Sequence, residues 1–93
     1  MKTGDVRRAQ FELYSTSACH LCEQAAAMIA AWRENGLAPQ VVEVDIAEDD
    51  ILFERYGVRI PVLRRGDGEE LGWPFTIEAL GEFLAGGQPG RAD

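Results

Sequence analysis

The two cysteines of this 93-residue chain, Cys19 and Cys22, stand together in SACHLC, and the rest of the sequence holds none. A Cys-X-X-Cys pair can exchange disulfides: one thiolate attacks a substrate sulfur and the second thiol resolves the mixed disulfide. The same spacing can supply half of a zinc site, or simply place two small buried hydrophobes close together. Zinc takes four ligands, and the chain offers one histidine, His20. As a helical neighbour of Cys19 it would point about 100° round the axis, so a complete site would need carboxylates or a second chain. A structural staple is a poor use of the pair, because a loop this small constrains the unfolded chain least. His20 could lower the Cys19 pKa or merely face solvent, and a Cys–His hydrolase would lack a third group to orient the ring. Dithiol exchange is the leading expectation, with Cys19 as nucleophile and Cys22 as resolving thiol.

That assignment depends on which elements hold the pair. FELYS (11–15) alternates in the manner of a strand. From Cys19 to Glu34, Leu21, Ala25, Met28, Ile29 and Trp32 form a helical stripe, with Asn35-Gly36 as the stop. Pro39 leads into QVVEVDI, a second strand rich in β-branched residues. Strand, helix and strand in this order predict a parallel βαβ unit with a right-handed crossover. AEDDILFERYG reads as a short helix stopped at Gly57, RIPVLRRGDGEELG as two strands turning at Gly66-Asp67-Gly68, and Thr76 as the cap of a last helix burying Ile77, Leu80 and Leu84. The expected fold class is α/β, in the order β-α-β-α-β-β-α, with a four-stranded mixed sheet flanked by helices. Cys19 then sits at the N-terminus of the first helix, where free amides equivalent to roughly +0.5 charge stabilise a thiolate. Each unit of pKa depression is worth about 1.4 kcal/mol of preference for that anion.

Composition narrows the classes further. Nine Lys plus Arg against 16 Asp plus Glu give a formal charge of -7, which argues against nucleic acid and anionic membrane surfaces as partners. Hydrophobic residues at 46% fit one globular domain with a single core. MKTGDVRRAQ shows no apolar run after its basic residues and no stretch reaches membrane-spanning length, so the expected location is the cytoplasm, where thiols are kept reduced. Residues 1–9 read as an N-terminal extension, 10–85 as the domain and 86–93 as a flexible tail.

Three segments together resemble the glutaredoxin-like group of the thioredoxin-fold superfamily over roughly residues 10 to 85. FELYSTSACHLC is similar to the strand-to-active-site entry, YGVRIPVL to the segment carrying the cis-proline, and LGWPFTIEALGEFL to the last strand and final helix. The resemblance implies a thiol–disulfide oxidoreductase acting on protein or low-molecular-weight disulfides. Its reductant would be glutathione or a thioredoxin-type protein, with no resident cofactor and no metal. It also implies a cis Ile60–Pro61 bond beside the cysteines and a backbone at Ile60 that pairs with an extended substrate. Beside these, the residues themselves add three to the substrate-binding set: Ser17, whose hydroxyl precedes Cys19; Trp73, which could stack on a substrate but also suits an ordinary core or rim position; and Thr76, which with the helix N-terminus could receive an anion. The chain departs from the glutaredoxin pattern at His20-Leu21, where Pro-Tyr or Pro-Phe is usual. It departs again at Thr16, in place of a lysine that attracts a glutathione carboxylate, and at Trp73-Pro74-Phe75-Thr76, where a glycine and an acidic pair are usual. Charge steering of an acidic substrate would fall to Arg59, Arg64 and Arg65, which otherwise solvate the hairpin. Two other functions fit the same residues: a non-enzymatic binding or adaptor module, and a metal or iron–sulfur carrier bridged between chains by cysteines.

Overall fold

The computed structural model describes residues 11–36 and 40–86. Four strands, β1 (Phe11–Ser15), β2 (Val41–Asp45), β3 (Val62–Arg65) and β4 (Glu70–Gly72), form one sheet in the order β2-β1-β3-β4. β1 and β2 run parallel, while β1–β3 and β3–β4 are antiparallel. Three helices, α1 (His20–Glu34), α2 (Asp50–Tyr56) and α3 (Ile77–Leu84), complete the expected β-α-β-α-β-β-α order. The terminal segments 1–9 and 87–93, and Pro39 before β2, lie outside the described residues.

Successive side chains of a strand point to opposite faces, and here both faces are covered. Phe11 and Leu13 of β1 join Leu63 of β3 in a core closed by Ala25 and Ile29 of α1 and by Leu80, Phe83 and Leu84 of α3. Tyr14 and Val62, on the other face, pack with Ile46, Tyr56, Leu52 and Ile60 from α2 and its flanks. Among the described residues no helix is long and apolar enough to cross a membrane.

Several boundaries differ from the expectation, each for a local reason. β2 ends at Asp45 because the Asp45 carboxylate accepts the Ala47 N–H at 2.9 Å, turning the chain into a single 3-10 turn over Ile46–Glu48. Ile46 is buried beneath α2 instead of extending the strand. α2 is shorter than AEDDILFERYG because Asp49 caps it, its Oδ1 accepting from Ile51 N at 3.0 Å and Leu52 N at 3.1 Å. Leu21 does not belong to the buried stripe of α1: it is 43% exposed, and Cys22 takes its place beside Ala25 and Ile29. With Cys19 as cap, the sheet-facing positions are 22, 25 and 29, and Leu21 falls about 100° away. Ile77 is likewise exposed, and the buried face of α3 is Leu80, Gly81, Phe83 and Leu84.

Trp32 is half-buried and not central; it bridges α1 and α3, its indole N–H donating to the Ile77 carbonyl at 2.8 Å. Arg65 is no solvating residue of the hairpin. Its buried guanidinium donates to the Phe83 carbonyl at 2.9 Å and to Asp67 at 3.0 Å, and it stacks on the Phe83 ring at 4.5 Å.

Candidate functional site

The register of the sheet fixes which segments meet at one edge. Ser15 at the end of β1 pairs with Asp45 at the end of β2, Tyr14 pairs with Val62 at the start of β3, and Val62 pairs with Gly72 at the end of β4. The loop carrying Cys19, the segment before Pro61 and the segment after Gly72 therefore all leave the sheet at the same edge. A parallel βαβ unit places its strand carboxyl ends, and with them the usual site of chemistry, at that edge.

Cys19 is the N-cap of α1 with extended backbone (φ -101°, ψ 109°), and its sulfur accepts the Cys22 N–H at 3.1 Å. A helix leaves its first amides without intrahelical partners; one of them is thus turned onto this sulfur. The two cysteines are joined as a disulfide, with Cα atoms 5.2 Å apart. Cys19 is partly exposed, whereas Cys22 is 2% exposed behind it on the sheet-facing side of α1. Solvent reaches the first sulfur more readily than the second. His20 and Leu21, between them, face outward.

The remaining predicted residues fall in different places. Ser17 is exposed in the loop between β1 and α1 and, with Ser15, Thr16, Glu43 and Asp45, lines a polar pocket of about 280 Å³. Ser15 is buried there and donates to Glu43 at 3.3 Å. Pro61 is fully buried, and both the Ile60–Pro61 and Trp73–Pro74 bonds are cis. The Trp73 N–H donates to the Pro61 carbonyl at 3.1 Å, which ties the two proline segments together. The Ile60 N–H donates to the Tyr56 carbonyl at 3.1 Å. The Trp73 ring is half-buried, edge-on to Phe75 and packed against the core. Thr76 is exposed and caps α3, its Oγ1 accepting from Ala79 N at 3.0 Å. Arg59 is occupied by Glu70 at 3.1 Å.

Glu43 and Asp45 are the residues at this edge that the motifs did not single out. The alternation in VEVDI and the parallel pairing of β2 with β1 carry the signal, since both carboxylates then share the face of Ser15. Among the described residues no group of three or more His, Cys, Asp or Glu side chains is placed to hold a metal ion.

Residues 10–85 match the family model described as Glutaredoxin-like domain (DUF836). The chain is similar to the X-ray structure of a Northeast Structural Genomics target protein, XcR50 from X. campestris. That match has 40% identity and a TM-score of 0.71, and it covers 81% of this chain and 95% of that one. The solution structure of the same target matches with 38% identity and a TM-score of 0.70, covering 82% of this chain and 92% of that one. No curated protein matches the chain.

Proposed function

We propose a function on one premise: this chain belongs to the glutaredoxin-like domain family and has a thioredoxin-like fold. The protein is a dithiol–disulfide oxidoreductase. The observation that carries this reading is the Cys22 amide aimed at the sulfur of a partly exposed Cys19, with the second sulfur buried within reach. In the reduced protein that amide and the helix N-terminus favour the Cys19 thiolate.

The thiolate attacks one sulfur of a substrate disulfide, forming the Cys19–substrate bond and releasing the other sulfur as a thiolate. Cys22 then loses its proton and attacks the Cys19 sulfur. The internal disulfide forms, and the second substrate sulfur leaves and takes up a proton. Two electrons have passed to the substrate, and an external dithiol, or two glutathione molecules, returns them. The Ile60 carbonyl supports the reading as an acceptor for a substrate backbone N–H at the same edge, with Ser17, Trp73 and Thr76 as further contacts.

The test is the pH dependence of Cys19 alkylation in the reduced protein, together with reduction of bis(2-hydroxyethyl) disulfide. A Cys19 pKa about one unit or more below the usual 8.5 and turnover that Cys19→Ser abolishes are expected. An ordinary thiol pKa with no turnover overturns the proposal.

A further inference from the structure

Helix α2 is followed by the segment 57–61, which enters the sheet where the loop to the cysteines leaves it. Asp50, Phe53, Glu54, Gly57 and Val58 follow at helical spacing and line an open groove of about 540 Å³. Its apolar members are unusually bare: Phe53 is 53% exposed and Val58 100% exposed. Tyr56 and Ile60 hold the inner side of this segment in the core, so the outer residues are fixed in position rather than left over from a loose loop. Contiguous exposed apolar surface marks interaction sites more often than it marks plain surface.

The groove also has a sign. Asp50 and Glu54 are exposed on its walls, and no cation among the described residues forms an ion pair with either. Arg59 is taken by Glu70. Glu48 and Asp49 extend the acidic rim at the N-terminal end of α2. An apolar floor with an anionic rim is complementary to a polypeptide segment carrying an aliphatic or aromatic anchor between lysines or arginines. Val58 lies two residues before Ile60, so the groove adjoins, along the chain, the segment that enters the sheet where the cysteine loop leaves it. A small anionic disulfide such as oxidised glutathione has no anchor to fill the groove and the wrong charge for its rim.

We propose that the α2 groove docks an apolar, basic segment of a protein substrate, which makes polypeptide disulfides the substrate class of the neighbouring site; this rests on the oxidoreductase reading. The experiment separates the two. Cysteine-free fluorescein-labelled peptides, one with a leucine–phenylalanine anchor between lysines, one with glutamates for the lysines and one with serines for the anchor, are titrated by anisotropy against the oxidised wild type, Phe53→Asp, Val58→Asp and Glu54→Lys. Circular dichroism checks the fold of each variant. The basic anchored peptide should bind about tenfold more tightly than either control. Phe53→Asp and Val58→Asp should each lose about tenfold, and Glu54→Lys should shift preference toward the acidic peptide. Equal binding of the three peptides, no binding, or affinities indifferent to all three substitutions overturns the proposal. So does concentration-dependent dimerisation that Val58→Asp abolishes, which would assign the groove to a second copy. Hydroxyethyl disulfide turnover by the wild type is read alongside: turnover without peptide discrimination removes the groove and leaves the oxidoreductase, whereas peptide discrimination without turnover removes the oxidoreductase and the substrate class with it, leaving only a peptide-docking groove.

Discussion

In the proposed reaction two opposing fields would act on the Cys19 sulfur as a thiolate. The Cys22 N–H lies 3.1 Å away and is held there by the helix that Cys19 caps. Were Cys19 reduced to a thiolate, that bond would become charge-assisted, and such a bond at a helix N-terminus lowers a thiol pKa by one or more units. Against it stand carboxylates, of which Glu23 occupies the same first turn of α1 but is exposed. Exposed charges are screened by water and salt, so a pair of this kind is worth only about 0–1 kcal/mol. The amide wins. Glu23→Gln should therefore lower the Cys19 pKa by a fraction of a unit and leave the reaction intact, as alkylation against pH would record. The two sulfurs also differ in access, which predicts an asymmetry between mutants. Cys22→Ser, incubated with a disulfide substrate, should accumulate a mixed disulfide on Cys19 visible as a mass increase; Cys19→Ser should accumulate none, because the remaining thiol is buried. Equal adducts on both variants would contradict the assigned roles.

At the scale of elements, α1 and α3 meet where Trp32 lies across Gly81. A Cβ built on Gly81 would stand 2.3 Å from Cζ2 of the indole, whose N–H is anchored to the Ile77 carbonyl. Alanine would gain up to about 1 kcal/mol in helix propensity, but overpacking against a fixed ring costs about 1–3 kcal/mol. Gly81→Ala should thus lower stability in urea unfolding, and the same change in a Trp32→Ala background should become neutral or favourable. Thr76→Ala removes the cap on α3 and should cost about 1 kcal/mol by the same measurement. These elements were legible in sequence to different depths. FELYS, the Gly66–Gly68 turn and the Thr76 cap are local signals, and the structure places β1, the β3–β4 turn and α3 accordingly. The faces of α1 and α3 were harder. A stripe of apolar residues admits neighbouring rotations, and only the sheet decides that Cys22 faces in while Leu21 and Ile77 face out. Arg65 was illegible for the opposite reason: its burial rests on an aromatic ring and a carbonyl of α3, both distant in sequence.

For the whole molecule, the fold followed from element order and the cysteines from their spacing, but the acidic pocket and the α2 groove exist only once β2 lies beside β1 and Tyr56 is packed inward. The second core is also where the molecule's response to alkali is set. Tyr14 and Tyr56 stack with centroids 4.6 Å apart, and their hydroxyls donate to Glu12 (3.0 Å) and Glu70, respectively. Burial first, and then the bond to Glu12, push the Tyr14 phenol up to about 12, while burial and the bond to Glu70 raise Tyr56. Ionising either ring in the fold would bury a charge and lose its bond to a carboxylate. Below pH ~10 both phenols are neutral in the folded and unfolded chains, and their contribution to stability is fully present. As pH rises from about 10 to about 12 the unfolded chain releases the Tyr14 proton and the folded chain retains it, so stability falls, by at most about 3 kcal/mol for this residue. The oxidised protein is the one to measure, since a disulfide adds no thiol titration over the same range. Urea midpoints between pH 9 and 12 should decline for the wild type and decline less for Tyr14→Phe. Tyr56→Phe should flatten the curve in the same direction. A decline unchanged in both variants would place the alkaline sensitivity outside this core.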